Sequence, residues 1–361
     1  MDLLTITGVT TRLVNVPLRF ALGTSAARVT AAPLLLVDLH TREGVTGRTY
    51  LFTYRRSGGV AIAALLQDAV EVVKGMTADP VAIGDLLARR FALLGVVGAA
   101  RMALAALDMG IWDANARAAG LPLAAMLGAS PRPVPAYNSS GLGLMPPEAA
   151  ADEAEALLEG GFKGVKLRLG HPTLREDLAV LRAVRNRLPD EIAIMVDYNQ
   201  ALTVADAMAR GRAIETEGIY WIEEPIRHDD WAGNRALADA LEVPLQIGEN
   251  FDGPRQMADA ISAGAADWVM PDAVRIGGVT GWIHAAGIAA ARGLELSSHL
   301  LPEISAHLLC ATPTAHWLEY VDWADAILVE PPKVVDGAFD VPNKPGIGLE
   351  WDEAKISRLI V

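Results

Sequence analysis

Three carboxylates recur at a constant interval of 26 residues: Asp197 in MVDYN, Glu223 in WIEEP and Glu249 in QIGEN. Each closes a short apolar run, and one strand–helix unit separates each pair, so consecutive parallel strands bring the three charges to one mouth. Left alone, such charges repel and raise one another's pKa values. A hard divalent cation resolves the conflict, and an oxygen-only ligand set favours Mg2+ over zinc. The next two runs end in Asp272, within MPDAV, and His299, within SSHL. A carboxylate one strand away orients an imidazole and raises its basicity, which makes His299 a candidate general base. Glu319 in HWLEY ends the run after that. There, a carboxylic acid with a raised pKa can donate a hydrogen bond to an anionic substrate. Upstream, GVKLRLG sets Lys166 and Arg168 on one face of a strand and Val165, Leu167 and Leu169 on the other, because side chains two apart share a face.

Eight apolar runs alternate with helical stretches after the boundary RPVPAY: VPAYNS, GVKLRLG, IAIMVDYNQ, YWIEEP, PLQIGEN, DWVMPDAV, LELSSHL and HWLEYVD. This rhythm predicts an α/β chain built on a (β/α)8 barrel, whose chemistry lies at the C-terminal strand ends. Before it, residues 3–17 and 33–40 read as strands joined by a turn-rich link. EGVTG at 43–47 reads as a hairpin turn, and 58–127 as alanine-rich helix. The division is an N-terminal α+β unit at 1–130, the barrel at 131–325, and a Pro- and Gly-rich segment at 326–361 that packs back on the first unit.

A hydrophobic fraction of 52% in 361 residues is enough for a large packed core. A net charge of −13 argues against a nucleic-acid or anionic-membrane partner, which the average field repels. The single cysteine, Cys310, lies in the helix-like run AHLLCATP and reads as a buried structural thiol. The opening MDLLTITGVTTRLVNV alternates like a strand and lacks a basic segment followed by an apolar one, so no signal peptide is expected. The apolar stretch from Ala92 to Trp112 is broken by Arg101 and Asp108, which marks a buried helix. A cytoplasmic enzyme is the expectation.

The motifs VDYNQ, WIEEP, GEN, MPDA, IGGVTGW, SSHL and EISAHLLCATPTAHWLE resemble those of the enolase superfamily, in its mandelate racemase/muconate lactonizing subgroup. The likeness runs from ITGVTTRLVNVPL through YLFTY and RMALAALDMGIWDA to PGIGLEW. It implies a modified barrel under an N-terminal capping domain, Mg2+ on Asp197, Glu223 and Glu249, and abstraction of the proton next to a carboxylate. It implies that Lys166 holds the substrate carboxylate, that Asp272 and His299 form one base, and that Glu319 donates to the carboxylate as it becomes an enediolate. A second charge on the same group needs a divalent ion, an ammonium and a donor aimed at it. The resemblance also implies a symmetric homo-oligomer. It assigns Leu22, Thr24, Ala26, Val29, Leu93, Leu300 and Val321 to the substrate side chain, with Tyr54 on a flap, Ser139 near the metal and Asn199 among the substrate-binding residues.

One position departs from that pattern. The mandelate racemases of the subgroup carry lysine, as a second base, where this chain has Arg168. Arginine stays protonated to above about pH 12, so its free base at pH 7 costs at least roughly 7 kcal/mol, at about 1.36 kcal/mol per unit. Arg168 is therefore either a strongly perturbed second base or a fixed cation that leaves His299 alone. The largely apolar pocket favours an aryl or alkyl 2-hydroxy acid, since each sugar hydroxyl buried without a partner costs roughly 1–3 kcal/mol. Against this, Arg28 and the pair Arg55 and Arg56 lie near the same flaps and can meet a second anionic group. Racemisation or epimerisation of a mandelate-like 2-hydroxy acid is the first reading, and dehydration of an acid sugar through His299 and Asp272 the second.

Overall fold

A computed structural model describes residues 4–23 and 28–361. The chain begins with an antiparallel sheet, β1 (Ile6–Gly23), β2 (Arg28–Thr41) and β3 (Thr46–Phe52), paired in that order. Both arms of the first hairpin are longer than the alternation predicts, because pairing resumes beyond a register shift at Pro17 and sets Leu22 opposite Val29. The turn at 43–47 joins β2 to β3, with Gly44 in the left-handed region. Four helices follow: α1 (Arg56–Val73), α2 (Pro80–Arg90), α3 (Gly98–Ala119) and α4 (Leu123–Met126). α3 lies so close to the sheet that a Cβ on Gly47 would fall 2.0 Å from the Gly110 carbonyl. The small residues of α3 permit that approach, and β2, covered on both faces, is buried from Ala32 to Leu39.

The second part alternates strand and helix. It runs β4 (Val134–Asn138), α5 (Pro147–Ala156), β5 (Gly164–Arg168), α6 (Leu174–Arg187), β6 (Ala193–Asp197), α7 (Val204–Ile214), β7 (Trp221–Glu223) and α8 (Trp231–Ala238). It continues through β8 (Leu245–Ile247), α9 (Pro254–Ala263), β9 (Trp268–Val269), α10 (Gly278–Arg292), α11 (Pro302–Cys310) and β10 (Leu318–Tyr320). Strands β4 to β9 pair in parallel in sequence order, and β10 returns to pair in parallel with β4. The helices start where the sequence supplies caps: at α6 the Thr173 side chain accepts the Glu176 amide and Glu176 reaches back. Among the described residues no helix is long and apolar enough to cross a membrane.

LELSSHL is not a regular strand. It joins its neighbours through single parallel bridges, Leu296 to Val269 and to Ala315, and His299 to Asp272. Pro271 has no N–H to offer and so interrupts the ladder at that point. The last residues form a small hairpin, β11 (Val334–Val335) and β12 (Ala338–Phe339), on the outer side of β4, and a short helix, α12 (Glu353–Ile356). This segment touches the N-terminal unit closely: the Trp351 indole donates to Asp38 at 2.8 Å and the Ile347 amide to Asp113 at 2.6 Å. Cys310 is half-buried at the end of α11, with its Sγ directed at the Arg132 carbonyl; it is less enclosed than its apolar run suggests.

Candidate active site

Asp197 and Glu223 end β6 and β7, and Glu249 lies two residues beyond the end of β8. Register pairs Arg168 with Asp197 and Asp197 with Glu223, so the ends of β5, β6 and β7 are level. One oxygen from each of Asp197, Glu223 and Glu249 lies within 4.8 Å of the others. The set is oxygen-only and largely buried, which fits Mg2+. Its electrostatics fit as well. Burial pushes Glu223 up to about 8 in spite of Lys166, and also raises Asp197. The cluster thus holds more negative charge than its own cations neutralise, a deficit that a divalent ion removes.

Lys166 stands among these groups, with Nζ 2.6 Å from Glu223, 2.7 Å from Glu319 and 3.5 Å from Asp197. Burial works against its charge, but Glu223 and Glu319 outweigh it and hold its pKa well above the usual lysine range. His299 Nδ1 lies 2.8 Å from Asp272 Oδ2, and Nε2 lies 3.2 Å from Glu249 and 3.9 Å from Glu319. Asp272 is itself fixed by the amides of Val274 and Arg275, at 2.7 and 3.0 Å. Burial alone would lower the imidazole pKa; Glu249 and Glu319 overcome it and raise it well above its ordinary value. Glu319 accepts from the Leu300 amide at 2.8 Å. Burial raises its pKa, but Lys166 and His299 bring it down to about 2 while both stand beside it.

Arg168 is buried and committed. Nη1 donates to the carbonyls of Ser139 and Gly141 at 3.2 and 2.5 Å, and Nη2 to the Ser139 hydroxyl at 2.8 Å. Its Nε is buried without a partner. Ser139 therefore lies against Arg168, at the end of β4. Asn199 is tied to Asp197 by its amide at 2.7 Å and its side chain at 2.9 Å.

The apolar wall forms in part. Leu22, Leu300 and Val321 are buried and Val29 is half-buried. Thr24 and Ala26 lie outside the described residues. Leu93 is fully exposed on the turn between α2 and α3 and does not join this wall within the single chain. Arg28, Arg55 and Arg56 are also exposed. Tyr54 is a strained flap residue at φ 60°, its ring 4.9 Å from the Arg275 guanidinium. Two site residues were not foreseen. Glu224 is buried, takes the Asn250 amide at 2.7 Å, and has its pKa raised well above normal by burial and then by Glu249. The doublet in WIEEP is its one signal. Arg275, in PDAVRIGG, was hidden by its resemblance to a surface charge. Positive φ at Leu142, Asn199, Gln200, Glu224, Leu300 and Leu301 gathers strain just beyond strand ends, the usual place for it in an active site.

Comparison with known proteins agrees with this geometry. Residues 6–128 match the mandelate racemase/muconate lactonizing enzyme N-terminal domain, and 149–355 the enolase C-terminal domain-like family. A solved enolase from alpha proteobacterium bal199 with bound Mg is 44% identical, covering 99% of this chain and 100% of its own, at TM-score 0.97. An enolase from Bradyrhizobium complexed with magnesium and mandelic acid is 40% identical over 100% of this chain and 99% of its own, at TM-score 0.95. The L-talarate/galactarate dehydratase of Salmonella typhimurium is 33% identical over 329 residues, 90% of this chain and 82% of that protein. Further relatives are named as sugar-acid dehydratases, cycloisomerases and an epimerase. The site is that of a Mg2+-dependent enzyme. The chain belongs to the mandelate racemase/muconate lactonizing enzyme group of the enolase superfamily.

Proposed function

We propose that this enzyme removes the α-proton of a 2-hydroxy carboxylate from one face, with His299 as its only base, and that a β-hydroxyl then leaves to give a 2-keto acid. Arg168 carries this reading: both Nη atoms are spent on Ser139 and Gly141, which makes it a fixed cation and not a base. The order of the two outcomes read from sequence is thereby reversed. The division at residues 130 and 325, and a modified (β/α)8 barrel beneath an α+β cap, belong to the same proposal.

Asp272 holds His299 Nδ1 and so directs Nε2 to the substrate. Asp197, Glu223 and Glu249 hold the Mg2+, which stabilises charge developing on the substrate carboxylate. Lys166, at hydrogen-bond distance from Glu223 and Glu319, is the ammonium that meets the same carboxylate. Glu319 takes up a proton from solvent as the substrate enters and Lys166 turns from it to the substrate carboxylate, and then donates a hydrogen bond to that carboxylate. The imidazolium returns its proton to the departing hydroxyl, which leaves as water, and the enol product tautomerises to the 2-keto acid.

Racemisation of an aryl 2-hydroxy acid is the second reading. The apolar Leu22, Leu300 and Val321 favour it, as does the mandelic acid bound to the Bradyrhizobium relative. Mass spectrometry after incubation of 2-hydroxy acids and acid sugars in D2O separates the two. A 2-keto acid lighter by one water supports dehydration. Deuterium at the α-carbon of both enantiomers, with no keto acid, replaces it with racemisation.

A further inference from the structure

Beside the reaction centre lies a cavity of about 200 Å3 walled by Arg101, His228, Asn250, Asp252, Gln256 and Arg275. Its polar groups do not balance. Arg101 Nε is paired with Asp252 at 3.0 Å, and Asp252 also takes the Gly98 amide at 3.3 Å. The His228 ring Nδ1 and amide both meet Gln200 Oε1, at 3.0 and 3.1 Å, and burial keeps that imidazole's pKa low. Arg275 is different. Among the described residues no carboxylate comes within 4.0 Å of its guanidinium, and its Nε is buried without a hydrogen-bond partner. Elsewhere in the chain, buried or half-buried guanidiniums are held by oxygen acceptors: Arg12 by Asp38, Arg117 by Asp113 and Arg210 by Asp177, and Arg168 and Arg185 by backbone carbonyls. The cavity thus holds two guanidiniums and one carboxylate, which Arg101 already takes, in a chain of net charge −13 where carboxylates are plentiful. Burial works against the Arg275 charge, and Tyr54, stacked on this cation, holds its pKa up together with Asp272 and Glu249. None of these gives it a paired carboxylate, which a bidentate oxyanion supplies.

We propose that this cavity binds one small oxyanion, of carboxylate or sulfate type, against Arg275. Guanidinium recognises the planar, bidentate edge of such a group. The volume is below the roughly 300–1,000 Å3 of pockets that enclose a whole ligand, so the cavity takes a group and not a complete substrate. It adjoins the proposed reaction centre on two sides: Asn250 Nδ2 donates to Glu249 at 3.1 Å, and the Arg275 amide donates to Asp272. The anion is either the distal carboxylate of a substrate or a free ion. The first source rests on the function proposed above; the binding itself does not.

Sulfate is the probe for binding. Titrated calorimetrically into Mg2+-loaded protein at constant ionic strength, it binds saturably, and Arg275→Gln weakens it by about tenfold or more, as expected for a charge-assisted contact. Gln256→Glu keeps the acceptor that takes the Asp252 amide at 2.5 Å and adds a negative charge to the cavity. It weakens sulfate to a similar extent and stands in if Arg275→Gln does not fold. The source is read from α-proton exchange on two 2-hydroxy acids that differ only in a distal carboxylate. If the anion belongs to the substrate, Arg275→Gln raises KM for the diacid about tenfold more than for the monoacid, and sulfate competes with the diacid. If it is a free ion, the two KM values move together while sulfate binding is still lost. Should neither acid exchange at all, the sulfate result stands and only the function fails. Sulfate binding that is absent, or equal in wild type and both variants, overturns the subsite and leaves Arg275 as a support for Tyr54.

Discussion

The two ends of the parallel sheet hold the same strands and opposite chemistry. At one end stand Lys166, Asp197, Glu223, His299 and Glu319, all buried. At the other, Tyr137, Met195 and Trp221 form a small cluster of their own, packed against Tyr220, Trp268 and Trp317. Ring centroids are 5.3 Å apart for Tyr137 and Trp221, and 5.5 Å for Tyr220 and Trp268. The change takes two residues: Met195 and Asp197 share a face of β6, and Trp221 and Glu223 a face of β7. The aromatic end contributes area and edge-on ring contacts, while the charged end offsets desolvation only through pairs and a metal. Stability and chemistry should therefore separate along one strand.

The comparison breaks most sharply at the metal. Exhaustive chelation, or Glu249→Gln, is expected to lower turnover by at least about a thousandfold, in line with the loss of a principal electrostatic stabiliser. Calorimetric Mg2+ titration of the variant should show the matching loss of affinity. Full activity in the chelated protein would remove the metal from the mechanism. Next is Asp272→Asn, expected to reduce α-proton exchange by about two to three decades, within the general-base range. Solvent-exchange NMR reads it, and an unchanged rate would free His299 from its partner.

At the other end, Trp268→Ala should cost about 3 kcal/mol of stability, in the range for loss of a large packed aromatic. It should leave kcat within about threefold when assayed well below the melting temperature. Urea unfolding together with steady-state rates tests both halves. A fall in kcat of tenfold or more would mean that the aromatic end positions the charges and is more than a support.

Why some of this was legible and some was not follows from the same contrast. The interval of 26 residues was readable because one strand–helix unit has a nearly constant length, so Asp197, Glu223 and Glu249 had to emerge level. The Lys166 and Arg168 pair was readable from strand alternation. What Arg168 does was not, because its partners are backbone carbonyls of Ser139 and Gly141, and every residue has a carbonyl. The irregular course of LELSSHL depends on a missing N–H at Pro271 in a neighbouring segment. Glu224 and Arg275 looked like ordinary charges because their isolation exists only in three dimensions.

The smallest effect concerns two buried groups on α11, away from the metal. Burial pushes Glu303 up to about 7, against the hydrogen bond that the Tyr50 hydroxyl donates at 2.5 Å. Burial pushes His307 down to about 4. Its Nδ1 takes the Ala124 amide at 3.2 Å and Nε2 faces the Ile347 carbonyl, so a second ring proton would meet an N–H. For Glu303 the folded chain binds the proton more tightly, so its contribution is complete below pH 4.5 and is lost as pH rises through 7. For His307 the unfolded chain binds it more tightly, so its contribution is complete above pH 6.5 and is lost as pH falls through 4. Each shift is worth up to about 3 kcal/mol, at about 1.36 kcal/mol per unit, and the two offset each other across that window. His307→Gln should therefore expose the Glu303 slope, with stability falling from pH 4.5 to 7. Glu303→Gln should expose the opposite slope. Urea midpoints measured from pH 4 to 8 decide it: two variants with parallel profiles would show that neither group titrates as its surroundings require.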